Sequence, residues 1–170
     1  MLQLDTPRLI LRAMTPDDAV ALQSIWGDEE TMRFYPRALT ASEIDDWLAR
    51  QISRYPSGTG LLGMILKEEP AKLIGDCGPV WQEIDGPPEM EIGYHVHRDY
   101  WNRGLATEAV RAVRGYAFDV LGCDHVISMI RPENLPSRRV AEKNGLAVDR
   151  TLIWRGYVHC VYRLAKAAAL

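Results

Sequence analysis

The sequence predicts a mixed α/β domain: a central, mostly antiparallel sheet of about seven strands with helices on both faces. Three observations carry this expectation. Apolar spacing switches repeatedly between a period of two and a period near 3.6. Three of the strands follow one another across strong turn signals, which favours antiparallel pairing. Residues 89–131 then read as strand, helix, strand, a unit expected to be parallel and right-handed. At 170 residues the chain has the length of one domain, 1–170, large enough to bury a core without staples.

Each element has a local cause. "RLILRA" at 8–13 is the first strand. Thr15-Pro16-Asp17-Asp18 supplies an N-cap, a proline in the first turn and acid near a helix start, and Ala19, Leu22, Ile25 and Trp26 follow at helical spacing. After the aromatic loop "MRFYPRAL", Thr40-Ala41-Ser42-Glu43 is a capping box opening a helix with Ile44, Trp47, Leu48 and Ile52 on its apolar face. Strands are expected at about 60–67, 72–82 and 89–97, separated by "EEPA" and "DGPP". From Leu105 the period becomes helical, with Gly122 as its stop, and "HVISMIR" (125–131) is the next strand. A helix over about 136–144 ends at Asn144-Gly145. Strands at 147–155 and 158–164 close a hairpin around Gly156, giving the order βααβββαβαββ, and "AKAAAL" reads as a frayed tail.

Composition excludes several classes of function. Twenty basic against 23 acidic residues give a net charge of −3, without the basic footprint of a nucleic-acid binder. No apolar run approaches the ~20 residues of a membrane span. Three widely spaced cysteines, Cys77, Cys123 and Cys160, fit neither a disulfide framework nor a cysteine zinc site, and point to reduced thiols in a cytoplasmic protein. His95-x-His97 has no third ligand at convincing spacing, so no metal is expected.

The informative stretch is "HVHRDYWNRGLATEAVRAV" (95–113), where a strand passes directly into a helix. A helix N-terminus exposes unpaired N–H groups at the positive end of its dipole and so attracts phosphate. Gly104 lets the backbone approach a bulky anion, Ala106 does not obstruct it, and Arg103 adds charge. The loop has one glycine where a dinucleotide fingerprint needs three, and it lacks the G-K-[ST] of a P-loop.

"YHVHRDYWNRGLATEA" resembles motif A of the GNAT superfamily, the GCN-five-related N-acetyltransferases, whose acetyl-CoA loop reads (Q/R)-x-x-G-x-(G/A). The matching residues are Trp101, Asn102, Arg103, Gly104, Leu105 and Ala106, with Trp101 in place of the usual Gln or Arg. That form, "LDTPRLILRAMTPDDA" and "ENLPSRRVAEKNG" resemble the RimJ/RimL-type branch, which acetylates ribosomal-protein N-termini.

The resemblance implies an acetyl-CoA-dependent transfer to a primary amine by direct attack in a ternary complex. It implies that the backbone of Tyr94, His95 and Val96 pairs with the pantetheine arm, and that Asn134 contacts that arm. Many relatives carry a tyrosine seven residues after that asparagine as general acid. Here the position is Ala141, and Ser137 is the expected substitute. Glu91 is the expected base, acting through a water, with Glu89 the runner-up. Phe34 and Tyr35 are candidates for the acceptor pocket. A non-catalytic acyl-CoA-binding module is the alternative. The acceptor stays open, and a homodimer through the C-terminal strands is compatible with the sequence.

Overall fold

The computed structural model describes residues 2–167. Its eight strands are β1 (Gln3–Asp5), β2 (Leu9–Arg12), β3 (Leu62–Leu66), β4 (Leu73–Gln82), β5 (Glu89–Val96), β6 (His125–Ile130), β7 (Ala147–Trp154) and β8 (Tyr157–Ala165). They form one sheet in the order β1-β2-β3-β4-β5-β6-β8-β7. The helices are α1 (Ala19–Trp26), α2 (Ala41–Arg54), α3 (Leu105–Asp119) and α4 (Leu135–Lys143). The mixed, mostly antiparallel architecture is as expected: β5 and β6 pair in parallel and the other neighbours are antiparallel.

Four details correct the sequence expectation. An eighth strand, β1, precedes the first expected one, so the order begins ββ; three residues on an edge are too few to show alternation. The first helix starts later, at Ala19, after a 3-10 turn over Pro16–Asp18 in which Asp18 is tied to the Arg12 guanidinium at 2.7 and 2.8 Å. Helix α3 ends at Asp119, before Gly122, which takes a left-handed φ of 70° in the following turn. Ala165, read as the start of a frayed tail, is the last residue of β8, and residues 168–170 of that tail lie outside the described residues.

The remaining local signals act as expected. Thr40 and Glu43 make a reciprocal capping box at the start of α2. Arg155 and Gly156 both have positive φ, 49° and 83°, as a two-residue hairpin turn with right-handed twist requires. The sheet is covered on both faces. Leu9, Leu11, Met64, Ile74 and Ile92 pack with Ala109, Val110 and Val113 of α3 on one side. Trp26, Ile44, Trp47, Leu61 and Val80 form the core under α1 and α2 on the other. A smaller core joins Ile130, Ala141, Leu146, Cys160 and Tyr162.

The feature that positions the site is where β5 and β6 part. Their register holds a single pair, Glu91 with Ile127. Just beyond it the Ser128 hydroxyl reaches across to the Ile92 carbonyl at 2.9 Å. His97 N–H donates to Ile74 O of β4, so the alternation of an antiparallel ladder turns the backbone groups of Tyr94 and Val96 away from β4 and into the gap.

Candidate active site

The loop between β5 and α3 is built to leave a helix N-terminus open. A 3-10 turn over Arg98–Tyr100 is followed by two left-handed residues, Asn102 (φ 59°) and Gly104 (φ 75°). Asparagine and glycine are the residue types that tolerate this conformation. Gly104 caps α3, whose 15 residues align their peptide dipoles toward it. A Cβ built on Gly104 would meet only the end of Arg8, at 3.6 Å. The space beside Gly104 is otherwise open.

That loop is braced from the far end of the chain. Glu108, one turn into α3, accepts the Thr6 hydroxyl at 2.6 Å, the Arg8 amide at 2.8 Å and Arg8 Nε at 2.6 Å. Arg8 Nη1 donates to the Arg103 carbonyl at 2.9 Å. Burial alone would raise the Glu108 pKa, but the hydrogen bonds from Thr6 and Arg8 together hold it below the usual carboxylate value.

In front of this terminus lies a cleft of about 380 Å³. Tyr94, His95 and Val96 of β5 line it, and so do Trp101, Asn102, Gly104, Leu105 and Ala106 from the loop and α3. Asn134 and Ser137 enter from α4, and Phe34 and Tyr35 from the loop after α1. One expected residue departs: the Arg103 guanidinium lies 5.3 Å from the centre of the Tyr100 ring and is not part of the wall. The cations that do line the cleft are Arg33, Arg139 and Lys143. Arg33 is held by the faces of Phe34 and Trp101, 4.8 and 5.2 Å away. Trp101 is itself anchored by its Nε1–H on the Val96 carbonyl at 2.7 Å.

Helix α4 presents Asn134 as its N-cap, with Oδ1 accepting Ser137 N–H at 3.2 Å, so this side chain both caps and faces the cleft. The Tyr94 hydroxyl donates to the Ser137 carbonyl at 2.8 Å, fixing α4 against the open edge of β5. Ala141 points the other way: it is fully buried in the core beside Tyr162. A tyrosine at that position would meet packed side chains rather than the cleft.

The two candidate bases separate clearly. Glu91 stands behind the cleft wall, accepting Gln82 Nε2 at 2.6 Å and Met129 N–H at 3.4 Å. Burial pushes its pKa up, and those hydrogen bonds offset only part of the rise. Glu89 is instead committed to an ionic cluster with Arg150, His125 and Arg163, its contact to His125 being 3.1 Å, and it does not line the cleft.

A third group was not visible as a unit in the sequence. Asp76, wholly buried in β4, accepts Trp26 Nε1–H at 2.8 Å on one oxygen and faces His95 Nδ1 at 2.8 Å with the other. His95 Nε2 lies 2.5 Å from the Tyr35 hydroxyl. Trp26 packs on the His95 ring with centroids 4.0 Å apart, and Trp47 lies behind it at 4.8 Å. Tyr35 is two-fifths exposed and lines the cleft, and burial and the charges of Glu91 and Asp76 raise the pKa of its hydroxyl. The sequence signal was a lone aspartate inside the apolar run "LIGDCGPVW". Both ring nitrogens of His95 are engaged, and among the described residues no cluster of three His, Cys, Asp or Glu is arranged to hold a metal ion.

These features agree with comparisons to known proteins. Residues 8–147 match the family model described as "Acetyltransferase (GNAT) domain". The chain is 32% identical over 152 residues to the uncharacterized protein YkkB of Bacillus subtilis, covering 88% of each. It is 31% identical over 165 residues to the uncharacterized N-acetyltransferase p20 of Bacillus licheniformis, covering 94% of this chain and 89% of that one. A crystal structure of an acetyltransferase from Agrobacterium tumefaciens superposes with a TM-score of 0.84 at 25% identity, over 98% of this chain and 95% of that one. The chain belongs to the GNAT acetyltransferase family.

Proposed function

We propose that this protein transfers an acetyl group from acetyl-CoA to a primary amine by direct attack in a ternary complex. One observation carries the reading: the free edge of β5 at Tyr94 and Val96 and the open N-terminus of α3 face a single cleft. A ligand with an amide-bearing arm at one end and a pyrophosphate at the other fits both. Acetyl-CoA, when bound, supplies the activated acyl group as a thioester. The amides of α3's first turn hold the pyrophosphate, and Lys143 and Arg139 add positive charge beside it. The turned-out groups of Tyr94 and Val96 pair with the arm, and Asn134 borders it. Ser137 stands where it can return a proton to the departing sulfur, a role that Ala141 leaves vacant. Glu91 acts as base through a water at the back of the cleft.

The acceptor is proposed to be a protein N-terminus, of the ribosomal-protein kind that the RimJ/RimL-like motifs suggest. An α-amine has a reference pKa of about 7.7 to 8.0, so a strong base is not required. Among the described residues no aspartate or glutamate lines the cleft, which favours a peptide over a polyamine or aminoglycoside. A cytoplasmic location belongs to the same reading and suits three free, buried thiols. Exposed Val148, Ile153 and Val158 on β7 and β8 support a homodimer through these strands.

The test is thiol release from acetyl-CoA in the presence of N-terminal peptides, polyamines and aminoglycosides. Turnover with a peptide supports the proposal. Binding without turnover across the set favours a non-catalytic acyl-CoA-binding module, the reading to which the inward-facing Ala141 points.

A further inference from the structure

We propose that Asp76, His95 and Tyr35 form a proton relay in which the Tyr35 hydroxyl meets the acceptor amine and takes its proton. The inference rests on the acetyl-transfer reading of the cleft and adds a second route for the proton beside Glu91.

The direction of the relay follows from its hydrogen bonds. Asp76 has no exposed surface, and its two oxygens are spoken for by Trp26 Nε1–H and His95 Nδ1. A carboxylate can only accept, so Nδ1 carries the imidazole proton. Nε2 then holds the lone pair, and the Tyr35 hydroxyl 2.5 Å away donates to it. The remaining lone pairs of Tyr35 Oη are free to receive a proton from the cleft, which Tyr35 lines. Position along β5 points the same way. Residues 91, 93 and 95 share one face of the strand, and Gly93 leaves no side chain between Glu91 and His95. Glu91 does not line the cleft, whereas Tyr35 and His95 do.

The step balances without any further reagent. The acceptor ammonium gives one proton to Tyr35 Oη as the Tyr35 proton passes to His95 Nε2, and Asp76 stabilises the imidazolium so formed. The neutral amine then attacks the thioester carbonyl, the C–S bond breaks, and the second amine proton passes through the Ser137 hydroxyl to the departing thiolate. The proton held on His95 returns through Tyr35 to solvent. Tyr35 thus takes a task separate from that of the tyrosine that relatives place seven residues after Asn134, the role proposed for Ser137. Tyr35 is the catalytic residue of this relay; His95, Asp76 and Trp26 are positioning residues.

Two measurements test it. With the peptide on which the wild type turns over, Tyr35→Phe keeps the ring against Trp26 and is expected to lower kcat about 100-fold. Its acetyl-CoA Kd by calorimetry should stay within twofold. His95→Gln should show a similar loss. Wild-type turnover with Tyr35→Phe unchanged within twofold overturns the relay and leaves the acetyl-transfer reading standing. A folded wild type that binds no acetyl-CoA overturns both. Independently of any acceptor, long-range 1H–15N spectra of histidine-labelled protein should show His95 protonated at Nδ1. Its Nε2 signal, assigned by its loss in His95→Gln, should shift in Tyr35→Phe. An Nε2–H tautomer at His95 overturns the relay directly.

Discussion

Arg8 and Glu108, a hundred residues apart in the chain, are joined at 2.6 Å, and Arg8 also donates to the Arg103 carbonyl. This couples the start of β2 to the loop that opens α3. The "TPRL" motif near the N-terminus is therefore a strut for the proposed phosphate cradle as well as a strand entrance. Glu108→Gln keeps the shape but loses charge-assisted hydrogen bonds on a partly exposed arginine. The expected cost is roughly 1 to 2 kcal/mol of stability in urea unfolding, together with weaker acetyl-CoA binding. Because the folded pKa of Glu108 is depressed, its contribution is present above the unfolded carboxylate value and is lost as pH falls through the folded one. The wild-type advantage over Glu108→Gln should therefore disappear in acid.

Gly104 tests the cradle itself. Its φ of 75° means that any side chain there strains the backbone, by about 1 kcal/mol for alanine and more for valine. The space around it is nonetheless open, and the added methyl meets only the end of Arg8, which braces the loop, rather than the core. Gly104→Ala should cost that modest stability and weaken acetyl-CoA binding at least tenfold, read by calorimetry on protein shown to be folded. An unchanged Kd would remove the phosphate assignment.

Asn134 and Ser137 can be separated. Removing the N-cap by Asn134→Ala should destabilise the protein by about 1 kcal/mol. Ser137→Ala leaves the capping N–H in place, so its stability should hold while kcat falls if its hydroxyl protonates the thiolate. A kcat unchanged in Ser137→Ala would return this residue to an ordinary place in the first turn.

Glu91 makes a prediction of opposite sign in stability and activity. Burial raises its folded pKa, so its ionisation opposes folding increasingly as pH rises through that value. Glu91→Gln should therefore leave stability at neutral pH unchanged or higher. As a base it must be deprotonated, so kcat/KM should rise with pH through a value above the usual carboxylate range. That limb should flatten in Glu91→Gln; its persistence in the variant would assign it to another group.

Much of this was legible in the residues, and the exceptions share a cause. The capping box at Thr40, the turn at Gly156 and the left-handed Gly104 are short-range signals, and each appears where its chemistry requires. The cleft residues from Tyr94 to Ala106 were found because strand, loop and helix follow one another in the chain. Arg8–Glu108 and Asp76–His95–Tyr35 depend on contacts between distant segments, which no local period encodes. The charge of Arg103 was legible, while its place over the Tyr100 ring was not. Glu89 and Glu91 share a strand face, and only contacts with distant residues tell them apart: Glu89 is ion-paired with Arg150 and Arg163, whereas Glu91 accepts hydrogen bonds from Gln82 and Met129. Ala141 was correctly seen as lacking a hydroxyl, but its direction into the core required the packing of Tyr162.

The central claim is that the gap between β5 and β6, closed at one end by the N-terminus of α3, holds acetyl-CoA. Isothermal titration of the folded protein with acetyl-CoA tests it most directly. The expected result is saturable binding at one site per chain, weakened in Gly104→Ala. No heat of binding from a protein shown by its circular dichroism to be folded would contradict it.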